Sequence, residues 1–132
     1  MNYTADTSFF IRLGEGAPRA IQIWGEIIEG KGRLTVPVIA LAELKRNYLK
    51  KGLVKEIEEM IHLLNNSQKI SLLSLTPDLA SMSANVSHAY NLTIIDAIIV
   101  TSSMVSGFTN LLTSDSVFFR VQKDGKIKVI AV

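Results

Sequence analysis

The chain has 132 residues, of which 48% are hydrophobic and 20% are charged, and its formal net charge is +2. It lacks cysteine, which excludes disulfide frameworks and thiolate metal sites. The weak positive charge permits a nucleic-acid partner but does not require one. A chain of this length can bury one sizeable core, so we expect residues 1–132 to form a single domain.

No targeting or membrane segment is apparent in the sequence. The first six residues lack the basic and apolar regions of a signal peptide. The longest apolar run falls far short of the about 20 residues that cross a bilayer as a helix. We therefore expect a cytoplasmic protein that has no membrane association.

The first half of the chain predicts two strands separated by helices. A brief strand at Asn2–Ala5 precedes a helical turn at residues 9–11, and a helix then runs to Gly30. Residues 34–36 form a short buried strand, and Pro37 suits the first position of the next helix. Two amphipathic helices follow, with apolar faces formed by Val38, Leu41, Ala42, Tyr48 and Leu49 and by Leu53, Ile57, Met60, Ile61 and Leu64.

The second half continues the alternation. A third strand is predicted at Ile70–Leu75, and Thr76–Asp78 supplies an N-cap, a first-turn proline and a first-turn acid for a helix. The segment Thr93–Gly107 is too long for a strand despite its β-branched residues, so a buried helix is predicted there. Two further strands are expected at Asn110–Thr113 and Ile127–Val132.

Strands that alternate with helices predict a three-layer α/β/α sandwich around a central, mostly parallel sheet of about five strands. Functional sites in such sheets lie at the carboxyl ends of the strands. The predicted topology brings four acids to that edge. Asp6 follows the first strand and Asp115 the fourth, while Glu43 and Asp96 lie near the starts of helices that leave the same edge.

Each acid also has an ordinary structural interpretation. Asp96 occupies the position of the acid in a capping box, and Asp6 and Asp115 suit N-cap or turn positions. Glu43 could form an ion pair with Arg46, three residues further along its helix. These separate roles do not predict that the four carboxylates share one edge of the sheet.

Carboxylates that converge raise one another's pKa unless a cation compensates their charge. Mg²⁺ prefers oxygen ligands and retains several waters, and Mn²⁺ is a possible substitute. The two histidines, His62 and His88, lack the spacing of zinc ligands. A divalent cation beside a phosphodiester activates a bound water and shields the charge growing on phosphorus. The pattern of acids therefore favours hydrolysis of phosphodiester bonds.

Four short motifs resemble those of the PIN-domain family, and within it the VapC-type toxins of prokaryotic toxin–antitoxin pairs. The motifs are Asp6-Thr7-Ser8, Ala42-Glu43-Leu44, Ile95-Asp96-Ala97 and Leu112-Thr113-Ser114-Asp115. The resemblance covers essentially the whole chain. It implies a Mg²⁺-dependent endoribonuclease with a PIN-like fold that forms a homodimer and is inhibited by a cognate antitoxin.

The resemblance also implies roles for individual residues. Asp6, Glu43, Asp96 and Asp115 would be the catalytic and metal-binding acids. Ser8 and Thr113 would be the small polar residues that support them.

Basic residues beside Glu43 are the predicted contacts to RNA. Lys45 and Arg46 could track the phosphate backbone, and Arg46 shares a helix face with Glu43. The ordinary interpretation, a solvated helix face, suits Lys50, Lys51 and Lys55 better.

Two alternatives to a nuclease remain open. Many PIN domains carry a further acid two places after the fourth, where this chain has Val117. That departure leaves room for a non-catalytic PIN-like module that binds RNA or protein. A phosphoacceptor domain with Asp6 as its nucleophile is less favoured, since Thr7 and Ser8 stand where such domains place a second acid.

Overall fold

The computed structural model describes residues 1–132. Its five strands are β1 (Asn2–Ala5), β2 (Arg33–Pro37), β3 (Ile70–Leu73), β4 (Asn110–Thr113) and β5 (Lys128–Ala131). All neighbouring strands are parallel, in the order β3-β2-β1-β4-β5. The predicted α/β sandwich with a central parallel sheet is therefore confirmed, and the sheet contains no antiparallel strand.

Seven helices and one 3₁₀ turn connect the strands. The helices are α1 (Thr7–Gly14), α2 (Pro18–Ile28), α3 (Val38–Lys50), α4 (Val54–Asn66), α5 (Pro77–Tyr90), α6 (Ile94–Ser106) and α7 (Phe119–Gln122). The 3₁₀ turn, Ser116–Phe118, directly precedes α7. Successive side chains of a strand point to opposite faces of the sheet, and Tyr3, Thr4 and Ala5 of β1 are all buried. Both faces of the sheet are thus covered.

Several local predictions need correction, among them the last strand, which spans Lys128–Ala131 and not residues 127–132. Pro37 is the last residue of β2 and the N-cap of α3, so it does not occupy the first helical position. β3 ends at Leu73, two residues before the predicted end at Leu75. The helical turn predicted at residues 9–11 is part of the longer helix α1, and the helical segment at 116–122 was not anticipated.

Aromatic packing holds α1 against α2. Phe9 and Phe10 are fully buried, and their ring centroids lie 6.5 and 6.1 Å from that of Trp24 on α2. Burying two such side chains stabilises the fold by about 2–3 kcal/mol each. Because these rings fix α1, they also fix the residues immediately before them, Asp6–Ser8.

The helix α6 is the predicted buried helix, and its residues 97–103 are all buried. Thr93 caps its start and Gly107, with φ 76°, ends it in the left-handed conformation that glycine adopts without strain. No single helix has the length and apolar composition to cross a membrane, although α5 and α6 meet those criteria as a pair bent by 112°.

β1 is the central strand of the sheet, and the strand order places a topological switch point between β1 and β4. The chain proceeds from β1 to β2 and β3 on one side and then returns to β4 and β5 on the other. In open parallel sheets, ligands bind beyond the carboxyl ends of the strands at such a point. The fold therefore directs attention to the residues that follow β1 and β4.

Candidate active site

A cleft of about 530 Å³ lies beyond the carboxyl ends of β1 and β4. The two strands are joined there by a hydrogen bond of 3.0 Å from the backbone N–H of Asp6 to the carbonyl of Leu112. Asp6 directly follows β1, and Asp115 lies two residues after β4. The cleft is lined by Asp6, Thr7, Ser8, Ile11, Glu43, Asp96, Ser114, Asp115 and Ser116. All four of the predicted acids are thus in its lining.

The carboxylate of Asp6 is buried and held on both oxygens. Oδ1 accepts the backbone N–H of Thr7 at 2.7 Å, which makes Asp6 the N-cap of α1. Oδ2 accepts the hydroxyls of Ser8 at 2.9 Å and Thr113 at 2.8 Å. Three donors therefore fix the orientation of this carboxylate, and two of them come from the predicted supporting residues.

The hydroxyls of Ser8 and Thr113 also tie down the loop after β4. Ser8 Oγ accepts the backbone N–H of Ser114 at 2.9 Å, and Thr113 Oγ1 accepts that of Asp115 at 3.0 Å. The two hydroxyl oxygens lie 3.2 Å apart. A single network of hydrogen bonds thus links Asp6 to the backbone of the loop that carries Asp115.

Glu43 reaches the cleft from the second turn of α3. Its Oε1 accepts the hydroxyl of Thr7 at 2.9 Å. It forms no ion pair with Arg46, because the salt bridges of the protein are Arg12–Glu15, Lys31–Glu29 and Lys45–Glu58. The simple interpretation of Glu43 as a partner of Arg46 is therefore wrong.

Asp96 combines a capping position with an unengaged carboxylate. Its backbone N–H donates to Thr93 Oγ1 at 3.2 Å, as in the first half of a capping box. The reciprocal hydrogen bond, from the Thr93 backbone to the Asp96 carboxylate, is not formed, and that carboxylate faces the cleft without a protein donor. Capping does not explain why an acid is needed there.

Asp115 is the most exposed of the four acids. Its Oδ1 accepts the backbone N–H of Val117 at 3.0 Å and so caps the 3₁₀ turn at Ser116–Phe118. The structural interpretation of Asp115 as a cap is correct, and the residue also lines the cleft. Asp115 can do both because the cap engages only Oδ1, which leaves Oδ2 without a hydrogen bond.

Burial and like charge perturb two of these acids. Burial raises the pKa of Asp6, hydrogen bonds from Thr113, Ser8 and Thr7 oppose this, and the charge of Asp96 adds to the rise. Burial also raises the pKa of Glu43, the Thr7 hydrogen bond lowers it, and the charges of Asp6 and Asp96 raise it further. None of the four acids has a basic side chain in ion-pair contact. The cleft therefore holds negative charge that the protein itself does not neutralise.

The residues fit a hard divalent cation in chemistry but are not arranged as a closed set of ligands. No three Asp, Glu, His or Cys side chains are placed so that they could hold a metal ion as they stand. The acids offer only oxygen donors, which Mg²⁺ and Mn²⁺ prefer. Burial is the main cause of the raised pKa values of Asp6 and Glu43, and a cation would relieve the repulsion between acids that adds to it.

Sequence reasoning missed the contact between Thr7 and Glu43. Thr7 lies within the Asp6-Thr7-Ser8 motif, but nothing in the sequence links its hydroxyl to a residue 36 positions away. Ser114 and Ser116 were also missed as lining residues. Ser114 lies within the fourth motif, whereas the only signal for Ser116 was adjacency to Asp115.

The two predicted RNA contacts are placed differently. Lys45 forms an ion pair with Glu58 of α4 at 3.3 Å. Arg46 is exposed, has no ion-pair partner and lines a smaller pocket beside Glu43. Of the two, Arg46 is the one whose charge is not paired with an acid of the protein.

Comparison with known proteins identifies one family. A family model described as "PIN domain" matches residues 3–124 of the chain. A comparison with curated proteins finds no match.

Several solved structures share the fold. One is VapBC2 from Rickettsia felis bound to a DNA fragment from its promoter, with a TM-score of 0.74 and 11% identity over 100% of this chain and 99% of that one. Another is VapC20 of Mycobacterium tuberculosis, described as a toxin that cleaves the sarcin–ricin loop. Its TM-score is 0.72 and its identity 17%, over 90% of this chain and 94% of that one. A toxin–antitoxin complex from Klebsiella pneumoniae has a TM-score of 0.70 and 19% identity over 88% and 89%. At these identities the likeness establishes the fold alone.

Proposed function

The chain belongs to the PIN-domain family, and from that premise we propose that it is a Mg²⁺-dependent endoribonuclease, the toxin of a toxin–antitoxin pair. The observation that carries the proposal is the shared cleft at the switch point of the sheet, lined by Asp6, Glu43, Asp96 and Asp115. The proposal treats residues 1–132 as one PIN-like domain. Similarity of fold to toxins of known toxin–antitoxin complexes supports the same class of function.

The four acids would hold the divalent ion, with Mn²⁺ as a possible substitute for Mg²⁺. When bound, the ion supplies an activated water and shields the charge that grows on phosphorus. The hydrogen bonds of Thr7, Ser8 and Thr113 set the orientation of the Asp6 carboxylate before any ligand arrives. Such preorganisation lowers the entropy lost when the reacting groups are aligned.

Because the carboxylate of Asp96 is free, we expect replacement of this residue to reduce cleavage more than replacement of any other acid of the site. No protein group donates to it, so its charge is available to a cation. Asp6 and Glu43 are held by their own donors and face Asp96 across the cleft. Without a cation, these negative charges would repel the phosphates of RNA, so binding at the cleft depends on the metal.

Partners and location are part of the same proposal. The substrate is RNA, with Arg46 the favoured backbone contact and Lys45 a weaker one because it already pairs with Glu58. We infer a cognate antitoxin from the neighbours described as toxin–antitoxin complexes. A homodimer and a cytoplasmic location remain expectations from the sequence.

The direct test is cleavage of single-stranded RNA by the purified protein with Mg²⁺ or Mn²⁺, with and without EDTA. The proposal expects cleavage that EDTA abolishes and that Asp96→Asn removes while the fold is retained. Asp78→Asn is a matched control, since Asp78 is a first-turn acid of α5 outside the cleft. Unchanged cleavage by a folded Asp96→Asn protein would contradict the mechanism.

A non-catalytic PIN-like module that binds RNA or protein is the second candidate. Two observations favour it, namely Val117 in place of a further acid and the absence of a closed set of metal ligands. It expects that the protein binds RNA in the presence of Mg²⁺ without shortening it. Gel analysis of the bound RNA after prolonged incubation separates the two functions.

A further inference from the structure

A second, smaller pocket lies directly beside the acidic cleft. Its volume is about 170 Å³, and its lining consists of Glu43, Arg46, Asn47 and Lys50, all on α3. Glu43 lines both cavities. The two cavities are thus neighbours separated by one side chain.

Apart from Glu43, the side chains of the small pocket are not engaged by other groups of the protein. Neither Arg46 nor Lys50 takes part in a salt bridge, whereas Lys45 on the same helix pairs with Glu58 at 3.3 Å. Asn47 Oδ1 is buried and has no hydrogen-bond partner. Buried amide groups are normally paired, so Asn47 contributes an acceptor that no structural role occupies. The donors available to an anion are those of Arg46 and Lys50.

The charge of the pocket is opposite in sign to that of the cleft. Arg46 and Lys50 place two cations there against the single carboxylate of Glu43, which is already hydrogen-bonded to Thr7. A ligand that occupies both cavities needs two anionic groups. One binds Arg46 and Lys50 in the small pocket, and the other binds the divalent metal ion that the acids of the cleft would hold. Successive phosphates of a nucleic-acid strand have this property, because each carries one negative charge.

We propose that Arg46 and Lys50 form a subsite for a phosphate of the nucleotide that flanks the cleaved bond. This inference rests on the proposed function, because it assigns the cleaved bond itself to the acidic cleft. It distinguishes Lys50 from its neighbour Lys51, which is equally basic but lines neither cavity. It also predicts that the enzyme favours RNA longer than a dinucleotide, since a dinucleotide has no flanking phosphate.

The first test compares Lys50→Ala with Lys51→Ala, a pair that removes the same charge from adjacent positions. With a single-stranded RNA of several nucleotides, Lys50→Ala and Arg46→Ala should each raise KM on the order of fivefold, as expected for one partly exposed charge contact. They should leave kcat nearly unchanged, because the lost interaction binds substrate and transition state equally. Each should lower the slope of log KM against log salt by about one. Lys51→Ala should match wild type, and Arg46→Lys should recover part of the loss.

A dinucleotide substrate provides the second arm. The inference expects that Arg46→Ala and Lys50→Ala cleave it with the same kcat/KM as wild type. Equal losses on the dinucleotide and the longer RNA would overturn the inference, because the residues would then act at the cleaved bond or through the fold. Indistinguishable Lys50→Ala and Lys51→Ala proteins would overturn it as well.

A binding measurement separates failure of the inference from failure of the proposed function. Fluorescence anisotropy is recorded with Mg²⁺ for wild type, Lys50→Ala and Lys51→Ala. The probe is a labelled single-stranded RNA with phosphorothioate linkages, which keep the negative charge but resist hydrolysis, so all four acids of the cleft stay in place. Weaker binding on Lys50→Ala alone supports the subsite even when wild type fails to cut RNA. Equal affinity of the two lysine variants refutes the subsite even when wild type is an active nuclease.

Discussion

The hydroxyl of Thr7 donates a hydrogen bond of 2.9 Å to the carboxylate of Glu43, a residue 36 positions further along the chain. The backbone N–H of the same threonine donates to Asp6 at 2.7 Å. One residue therefore contacts two of the four acids of the cleft and connects the end of β1 with α3. The side chain of Thr7 is buried, whereas Glu43 is partly exposed in the cleft, so the hydrogen bond is partly shielded from water.

Replacing Thr7 tests the value of this connection. Thr7→Val retains the shape of the side chain but leaves Glu43 without its donor, so we expect a loss of about 1 kcal/mol in the free energy of unfolding. Cleavage of RNA should fall on the order of tenfold because Glu43 is no longer held in place. Urea denaturation and initial rates measure the two effects. Thr7→Ser keeps the donor and should recover both, and equal behaviour of the Val and Ser variants would argue against a role for the hydroxyl.

Divalent cations should stabilise the folded protein. Binding to the folded state alone raises the melting temperature in proportion to the logarithm of the ligand concentration once the site is saturated. Thermal melts in EDTA, Mg²⁺ and Mn²⁺ measure this increase for the wild type. We expect Asp96→Asn to lose most of it, because its carboxylate is the one without a protein donor, and Asp78→Asn to keep it. A shift of the same size in both variants would place the bound ion elsewhere.

The raised pKa of Asp6 predicts the pH dependence of stability without metal. The carboxyl group of Asp6 holds its proton more tightly in the folded protein than in the unfolded chain, where aspartates titrate near pH 4. Between that pH and the raised pKa, the folded state binds more protons, so the free energy of unfolding falls as pH rises. Asp6→Asn removes this contribution. Urea unfolding in EDTA should show that wild type loses stability relative to Asp6→Asn as pH is raised from 4 towards neutrality, and the opposite trend would refute the assignment.

Asp115 should contribute less to the rate of cleavage than Asp96. Asp115 is exposed and uses one carboxylate oxygen to cap the 3₁₀ turn, a hydrogen bond that asparagine can also accept. We expect Asp115→Asn to slow cleavage on the order of tenfold and Asp96→Asn on the order of a thousandfold, since Asp96 is less exposed to water than Asp115 and no protein donor engages its carboxylate. Single-turnover rates at saturating Mg²⁺ measure both. Wild-type rates in Asp115→Asn would remove this residue from the site and leave three acids.

Much of the fold followed from local patterns. The predicted strand at Asn110–Thr113 has the observed bounds, and Thr76 and Thr93 are the N-caps of α5 and α6. Such features depend on residues within one or two turns, so a sequence displays them directly. The helical segment at 116–122 has no comparable signal, because it is short and its start depends on the cap that Asp115 provides once the loop is in place.

The candidate site was predictable as an edge of the sheet but not as a set of contacts. Parallel strands present their carboxyl ends together, which is why Asp6 and Asp115 could be placed near each other before any coordinates. The roles of the four acids in binding metal and in catalysis remain predictions. The partner of Glu43 could not be predicted, since an ion pair with Arg46 within the helix and a hydrogen bond to Thr7 across the fold are equally compatible with the sequence.

The sequence by itself determined the alternation of strands and helices, the family, and the placement of the four acids at one edge of the sheet. Hydrophobic periodicity and short motifs depend only on residues close together in the chain, so the sequence shows them directly. Tertiary structure alone decided the strand order β3-β2-β1-β4-β5 and the hydrogen-bond network around Asp6. It also decided the spacing of the four carboxylates, which line one cleft but do not form a closed set of metal ligands. The physical reason is that these features arise from packing between segments distant in the chain. Which hydroxyl reaches which carboxylate depends on ångström-scale distances that α1 and α3 acquire only when both pack on the sheet.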